Sequence, residues 1–311
     1  MDRLEHGSVS MELTRHCNLR CARCDHASPW FAESMASFDQ YVRDFEALTA
    51  VMTIDELRFS GGEALLHPEL PRFLATARER AYARGLVLLS NGVLVPRMSD
   101  EVWQLIDVLQ LTLYPGIALK TPPDELFARG RRHRTTVVLK HASVFQQMLV
   151  NDPLDDPRVV ETVYRGCSAA VNCHTVFEGR FYRCSRAHLL EERLAMAGRT
   201  VSNRQADGVD LHAGGDLRAA LAAYLAEDRP LVACNYCLGD SGRRFEHVQL
   251  RRRADIEREQ RERHGDAREV LAPSAFGDPA AVERPTPSQR GWWRYGADDE
   301  AWAELEALDD A

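Results

Sequence analysis

Hydrophobic and polar residues follow two alternating patterns along roughly the first 150 positions. Short apolar runs typical of buried strands occur at 9–13, 56–59, 86–89, 108–113 and 136–140. Between them, apolar residues recur at helical spacing over 38–51, 70–84 and 100–105, and Gly85 suggests a stop for the second helix. Strands that alternate with helices are typical of βα units around a mostly parallel sheet. This half of the chain is therefore predicted to be α/β.

The pattern changes beyond about residue 150. Two short strand-like pieces at 175–177 and 180–183 flank Gly179, which predicts a small hairpin, and 217–226 predicts a helix. Residues 243–265 are highly charged and predict a solvated helix. The last forty residues are expected to pack loosely or to face a partner, and they contain Pro273, Pro279, Pro285, Pro287, Trp292 and Trp293. We therefore divide the chain into segments 1–150, 151–242 and 243–311.

Composition narrows the class of protein. Of the 311 residues, 45% are hydrophobic and 28% are charged, which is typical of a soluble globular protein. The net charge of −8 argues against nucleic acid or a membrane as partner. Neither a signal peptide nor an apolar run of about 18 residues is recognisable, so a cytoplasmic location is expected. In that reducing compartment the eight cysteines favour metal sites over disulfides.

The first cysteine group has the spacing C-x3-C-x2-C, formed by Cys17, Cys21 and Cys24 directly after the first predicted strand. Three thiolates on one loop can hold three corners of a [4Fe–4S] cube and leave the fourth iron open. The alternative is a structural zinc site, which prefers four protein ligands. His16 or His26 would then supply the fourth ligand.

Two further motifs follow the first cysteine group. A Gly-Gly-Glu at 61–63 lies about forty residues after Cys24, and a Ser-Asn-Gly at 90–92 ends a later predicted strand. In this order the motifs resemble the radical S-adenosylmethionine (SAM) superfamily over residues 9–145. The resemblance implies a partial (βα)6 barrel, in which the cluster cleaves SAM reductively to a 5′-deoxyadenosyl radical that abstracts a substrate hydrogen. It also implies a reducing partner such as flavodoxin or ferredoxin.

The resemblance assigns roles to individual residues. It implies that Gly61, Gly62 and Glu63, with Ser60 beside them, recognise the methionine amino group, and that Ser90 and Asn91 contact the ribose. By analogy with complete barrels, Lys140 and His141 at the end of a strand would face the active-site cavity, where either could contact SAM or act as a base. Arg23 departs from the family pattern, because many members have an aromatic residue just before the third cysteine.

The second cysteine group resembles the shortened "twitch" form of the auxiliary-cluster domains in this superfamily. The resemblance implies one auxiliary [4Fe–4S] cluster for electron transfer, held by Cys167, Cys184, Cys234 and Cys237. A zinc ribbon with the same four ligands is the alternative. Cys173 is left over: it is an inert buried thiol, a ligand in place of Cys167, or a catalytic hydrogen donor. His174 and Glu178, which flank the hairpin, are further candidates for substrate contact.

The layout of the chain resembles that of the 2-deoxy-scyllo-inosamine dehydrogenases. It implies an α/β barrel, a small hairpin and helix domain for the auxiliary cluster, and a C-terminal helical extension. We therefore expect dehydrogenation or epimerisation of a small natural-product intermediate: a sugar, aminocyclitol or nucleoside. One alternative is a ribosomal-peptide maturase that forms cross-links, thioethers or epimers, and another is a non-enzymatic Fe–S or zinc scaffold.

Overall fold

Eight strands join in one mixed sheet in the computed structural model, which describes residues 2–142 and 144–286. The described strands are β1 (Leu4–Thr14), β2 (Met52–Gly61), β3 (Gly85–Ser90), β4 (Val108–Leu113), β5 (Thr136–His141), β6 (Phe145–Gln146), β7 (Thr175–Phe177), β8 (Arg180–Tyr182), β9 (Gly208–Asp210) and β10 (Arg244–Phe245). Across the sheet the order is β5-β4-β3-β2-β1-β7-β8-β9, while β6 and β10 form a separate antiparallel pair.

Most of the described helices are short. The described helices are α1 (Phe38–Val51), α2 (Leu70–Glu79), α3 (Asp100–Leu105), α4 (Pro123–His133), α5 (Pro157–Arg165), α6 (Ala169–Asn172), α7 (Leu190–Met196), α8 (Arg204–Asp207), α9 (Leu217–Ala226) and α10 (Arg253–Arg261). Local capping explains several starts: the side chains of Ser37, Ser99 and Asp216 accept hydrogen bonds from backbone N–H groups of the first turn.

The α/β class with a mostly parallel sheet is confirmed. Strands β1 to β5 pair in parallel, with helices α1 to α4 in the connections. A sixth parallel strand, β7, joins the other edge of β1, and the antiparallel strands β8 and β9 extend the sheet from it. The hairpin predicted at 175–183 therefore continues the main sheet.

The main hydrophobic core lies between the sheet and its helices. It includes Val9 and Phe59 from the strands and Phe45 and Trp103 from the helices, all 0% exposed. Phe181 of β8 belongs to the same core, so the core joins residues of the first two predicted segments. On the opposite face of the sheet, Val87, Val108 and Val138 form a smaller apolar cluster.

A second hydrophobic core contains residues of α5 and of the C-terminal segment. Val159 and Val163 of α5 pack with Leu238, Leu271 and Ala275. The expectation of loose packing in the last forty residues is therefore wrong at Ala275, which is 0% exposed in this core, whereas the other described residues of that tail are half-buried or exposed. The predicted positions Pro287, Trp292 and Trp293 lie outside the described residues.

Two predicted helices are shorter than expected. The helix predicted at 243–265 spans only Arg253–Arg261, because the preceding residues are extended and pair with β6 and with the first cysteine loop. The helix predicted at 70–84 ends at Glu79, since Ala81 adopts the left-handed conformation with φ 51°, and Gly85 begins β3. Among residues 2–142 and 144–286, no helix has the length and apolarity of a membrane span.

Two histidines, the half-buried His6 and the buried His174, connect β1 to the start of β7. His6 Nε2 lies 2.7 Å from His174 Nδ1, and the two rings stack at 4.7 Å beside Phe181. Burial lowers the pKa of both imidazoles, because the cation is poorly solvated there. Glu178 occupies the hairpin turn with φ 45° and forms an ion pair with Arg204.

We expect this pair to make the protein less stable in acid. A depressed folded-state pKa means that the unfolded chain takes up protons first, so the free energy of unfolding falls as the pH drops below about 6.5, the ordinary histidine pKa. His6→Phe should weaken that dependence by on the order of 1–2 kcal/mol at the acid end. Urea unfolding of the cluster-free protein between pH 7.5 and pH 5 measures this pH dependence of the free energy of unfolding. The exposed His141 provides the control variant, His141→Gln, and an equal slope in both variants contradicts the expectation.

Candidate functional site

The end of β2 lies directly against the start of the first cysteine loop. Gly62 N–H donates to the Thr14 carbonyl at 2.7 Å, and Glu63 N–H donates to the His16 carbonyl at 2.9 Å. A Cβ on Gly62 would lie 2.3 Å from the His16 carbonyl oxygen, and Gly61 has φ +132°. The two glycines are therefore required for contact with the loop itself. A direct role of these glycines in SAM binding stays a prediction.

Glu63 is buried at 1% exposure and is held by three donors. Its Oε1 accepts from the Ser90 hydroxyl at 2.9 Å and from Leu65 N–H at 3.1 Å, and its Oε2 accepts from Asn91 N–H at 2.8 Å. Burial raises the pKa of this carboxyl, although the donors partly oppose the shift. The Ser60 hydroxyl points to the Met11 carbonyl at 3.5 Å.

Asn91 connects this carboxylate to the cysteine loop. Its Nδ2 donates to Asn18 Oδ1 at 2.7 Å and lies 3.7 Å from Cys17 Sγ. The structure thus brings Cys17, Glu63, Ser90 and Asn91 together at the carboxyl ends of the first three strands. Lys140 is placed differently: it is exposed in β5, opposite Thr112 of β4.

The three thiols of the first group lie in a poorly solvated loop. Burial raises the pKa of Cys17 to about 12 and also raises the pKa of Cys21 and Cys24. Thiolates bind metals, so these side chains need a bound cation to stay deprotonated. Within the described ranges, no three His, Cys, Asp or Glu side chains are arranged to hold a single ion. His16 faces Glu33 at 3.3 Å and His26 hydrogen-bonds Glu12 at 2.9 Å.

The C-terminal segment 244–262 covers this loop, which the sequence did not reveal. Ala22 N–H donates to the Val248 carbonyl and Leu250 N–H donates to the Arg20 carbonyl, at 2.8 and 2.7 Å. His247 Nε2 and Gln249 Nε2 each lie 3.2 Å from Cys21 Sγ. Hydrogen bonds of this kind orient metal ligands and adjust their electron density.

Arg23, the departure from the family pattern, contacts the same segment. Its φ is 53°, its backbone N–H donates to Glu259, and its guanidinium pairs with Glu262 at 2.8 Å. The guanidinium also lies 5.1 Å from the centre of the Phe245 ring. Aromatic side chains stand nearby in a different position: Tyr114, which follows β4, stacks on His247 at 5.0 Å.

The second cysteine group surrounds one cavity. Cys167, Cys184, Cys234 and Cys237 line it together with Arg183 and Arg186, whereas Cys173 is not among the lining residues. Burial raises the pKa of all four thiols, and Arg186 opposes the shift at Cys184 and Cys237. The four residues expected as ligands of the auxiliary cluster are therefore neighbours in the structure.

A partly buried ion pair connects the two cysteine groups. Arg186, two residues after Cys184, donates through Nη2 to the carboxylate of Asp25, the neighbour of Cys24. Burial opposes ionisation of Asp25, but Arg186 and His26 hold its pKa below the usual range. Nothing in the sequence pattern indicated this contact, because 161 residues separate the partners.

A second buried group lies beside that pair on β1. Glu12 Oε1 is 2.9 Å from His26 Nδ1 and 3.3 Å from His188 Nε2, and His188 is fully buried. Burial alone would raise the pKa of Glu12, but the two imidazoles hold it well below its usual range. Burial also disfavours the His26 cation, yet Asp25 and Glu12 raise its pKa to about 9. The first loop is thus anchored to the second cysteine region by charge.

Comparison with known proteins finds a family match for the first part of the chain. The family model described as "Radical SAM superfamily" matches residues 11–148. These residues are thus similar to the domain that the radical SAM superfamily shares. The matched range contains the first cysteine group, Glu63, Ser90, Asn91 and Lys140.

Curated relatives of the chain include GTP 3′,8-cyclases. That of Chlorobaculum tepidum is 31% identical over 107 residues, 34% of this chain and 32% of its own length. That of Geobacter sulfurreducens is 33% identical over 99 residues, 30% of this chain and 29% of its own length. The chain thus spans about a third of the length of these relatives. A crystal structure of BtrN with AdoMet and 2-DOIA has a TM-score of 0.48 at 14% identity, covering 78% of this chain and 96% of that one.

We expect Gly62→Ala to destabilise the protein, whereas Gly7→Ala should not. A Cβ at Gly62 would overlap the His16 carbonyl oxygen, and relief of such overpacking costs about 1–3 kcal/mol. A Cβ at Gly7, in β1, meets nothing within 4 Å among the described residues. Thermal unfolding of the two variants measures the difference. Equal midpoints would show that the loop does not depend on this contact.

Proposed function

We propose that the chain is a radical SAM enzyme with two [4Fe–4S] clusters, which acts in the cytoplasm on a small natural-product intermediate. Cys17, Cys21 and Cys24 hold the first cluster and leave one iron free to bind SAM. When bound, that cluster and SAM supply the 5′-deoxyadenosyl radical. The match of residues 11–148 to the radical SAM superfamily supports this part of the proposal.

Glu63 is proposed to bind the ammonium group of SAM, beside Ser60, Gly61 and Gly62. A carboxylate has about four lone-pair sites, and three described donors use three of them. One site on Oε2 is left for an ammonium, which forms a charge-assisted hydrogen bond. Ser90 and Asn91 keep this carboxylate aligned with Cys17, in addition to the ribose contact expected of them.

Cys167, Cys184, Cys234 and Cys237 are proposed to hold the auxiliary cluster, which supplies an electron acceptor when bound. The chemistry of the cavity suits an anionic group. Four thiols face it, and among the described residues Arg183 Nε and Arg186 Nε and Nη1 are buried without a hydrogen-bond partner. Buried cationic groups of this kind require an anion close by.

The reaction proposed is dehydrogenation of a carbinol carbon in a sugar, aminocyclitol or nucleoside. The carbinol carbon gives one hydrogen atom to the 5′-deoxyadenosyl radical. The substrate radical then gives one electron to the acceptor, and its hydroxyl group gives a proton to a base, which leaves a carbonyl. Lys140 is the candidate for that base or for a further SAM contact. The Asp25–Arg186 pair carries the proposal, because it joins the first cysteine loop to the wall of the four-cysteine cavity and so brings a site for an electron acceptor to the region where the radical would form.

Reduced protein, SAM and candidate substrates should yield 5′-deoxyadenosine and a product two mass units lighter. Flavodoxin or ferredoxin is the proposed reductant. An unchanged mass with one deuterium gained in heavy water indicates epimerisation instead, with Cys173 as the hydrogen donor. Turnover confined to a ribosomal peptide supports the maturase alternative, and cyclisation of GTP without loss of hydrogen would align the chain with its curated relatives. Absence of 5′-deoxyadenosine in every case contradicts the proposal.

The iron content of cysteine variants should show that the chain binds iron at two separate sites. The triple variant Cys17→Ala, Cys21→Ala, Cys24→Ala should keep about four of about eight iron atoms per chain and lose all SAM cleavage. Cys184→Ala should lose the other four and keep SAM cleavage. Cys173→Ala is the matched control, because Cys173 lies in the same region but outside the cavity lining. Loss of iron in Cys173→Ala but not in Cys167→Ala would reverse the proposed ligand set.

A further inference from the structure

We propose that Arg186 raises the reduction potential of the auxiliary cluster and that Asp25 limits how far it does so. This inference rests on the proposed function, because it assumes a cluster in the cavity lined by Cys167, Cys184, Cys234 and Cys237. It adds a tuning pair that connects the SAM-cluster loop to the electron acceptor.

The position of Arg186 carries the inference. Its side chain is 10% exposed and lines the four-cysteine cavity. Only Nη2 has partners within residues 2–142 and 144–286: the Asp25 carboxylate, and Met148 Sδ at 3.1 Å. Nε and Nη1 are buried without a described partner, which leaves two unused donors on a side chain that lines the same cavity as the four thiols. Cys173, Cys184 and Cys237 all lie within electrostatic reach of the guanidinium.

Two other arginines nearby, Arg183 and Arg193, are buried and donate hydrogen bonds to neutral oxygen atoms, although the Nε of each has no partner among the described residues. Arg193 is 2% exposed and donates to Asn151 Oδ1 and to the Val150 carbonyl, both at 2.6 Å. Arg183 donates to the Glu227 and Arg229 carbonyls. Arg186 differs from both, because its described partner is a carboxylate in the first cysteine loop. Its charge can therefore act on the auxiliary thiolates and is partly balanced from the other side.

The sign of the effect follows from charge. Reduction adds one electron, and therefore one negative charge, to a cluster that is already surrounded by four thiolates. A fixed cation in the wall of the same poorly solvated cavity stabilises the reduced form. Hydrogen bonds to the sulfur atoms act in the same direction. Removing Arg186 lowers the potential. Removing Asp25, an anion that also neutralises Arg186, raises it.

An EPR-monitored redox titration of the full-length holoenzyme tests these signs. The auxiliary signal is the one that SAM does not change. Arg186→Gln should shift the equilibrium constant for reduction at least tenfold toward the oxidised form, or about 59 mV for a one-electron couple. Asp25→Asn should shift it in the opposite direction. Arg186→Lys keeps the charge and should stay closer to the unsubstituted protein than Arg186→Gln does.

Arg180→Gln is the matched control. Arg180 lies in β8 of the same region and pairs with Asp210 at 3.2 Å, but it does not line the cavity. An equal potential in Arg186→Gln and Arg180→Gln overturns the inference. If Arg186→Gln fails to assemble the cluster, Asp25→Asn decides alone: an upward shift supports the tuning role, and any other result overturns it. About four iron atoms per chain in the unsubstituted protein would instead refute the auxiliary cluster of the proposed function.

Discussion

The close backbone contact between the end of β2 and the first cysteine loop is the constraint on which the candidate site depends. Gly62 and Glu63 donate backbone hydrogen bonds to Thr14 and His16, which sets the course of the chain into Cys17. A side chain at position 62 would prevent this approach. Once the contact forms, Glu63 is buried where Ser90 and Asn91 can hold it, and Asn91 reaches the cysteine loop.

The C-terminal segment 244–262 completes the surroundings of that loop. Its extended part pairs with residues 20–22, and α10 places Glu259 against Arg23 and Trp30. His247 and Gln249 reach Cys21 from this segment. A highly charged stretch is thus part of the site, because its acidic side chains and backbone donors satisfy polar groups of the cysteine loop that would otherwise be buried without partners.

Charge links the first loop to the second cysteine region. Asp25 with Arg186, and Glu12 with His26 and His188, lie between the two groups of thiols. Burying such groups is expensive unless each finds a partner of opposite charge, so the network commits the two regions to one relative placement. It also leaves Arg186 with two donors that have no described partner, on a side chain that lines the cavity of the auxiliary thiols. The same residues thereby fix the relative placement of the two cysteine regions and set the charge around the auxiliary thiols.

The sequence alone determined much of the local structure. Hydrophobic periodicity located α1, α3, β4 and α9 within the bounds that the structure has, because these patterns depend on neighbouring residues. Cysteine spacing and the Gly-Gly-Glu and Ser-Asn-Gly strand ends identified residues that the fold brings together. Only the tertiary structure decided that β7 joins β1, that 244–262 covers the cysteine loop and that Arg186 pairs with Asp25. These contacts join residues more than 150 positions apart, and they form through sheet edges and buried charges whose partners no local pattern specifies.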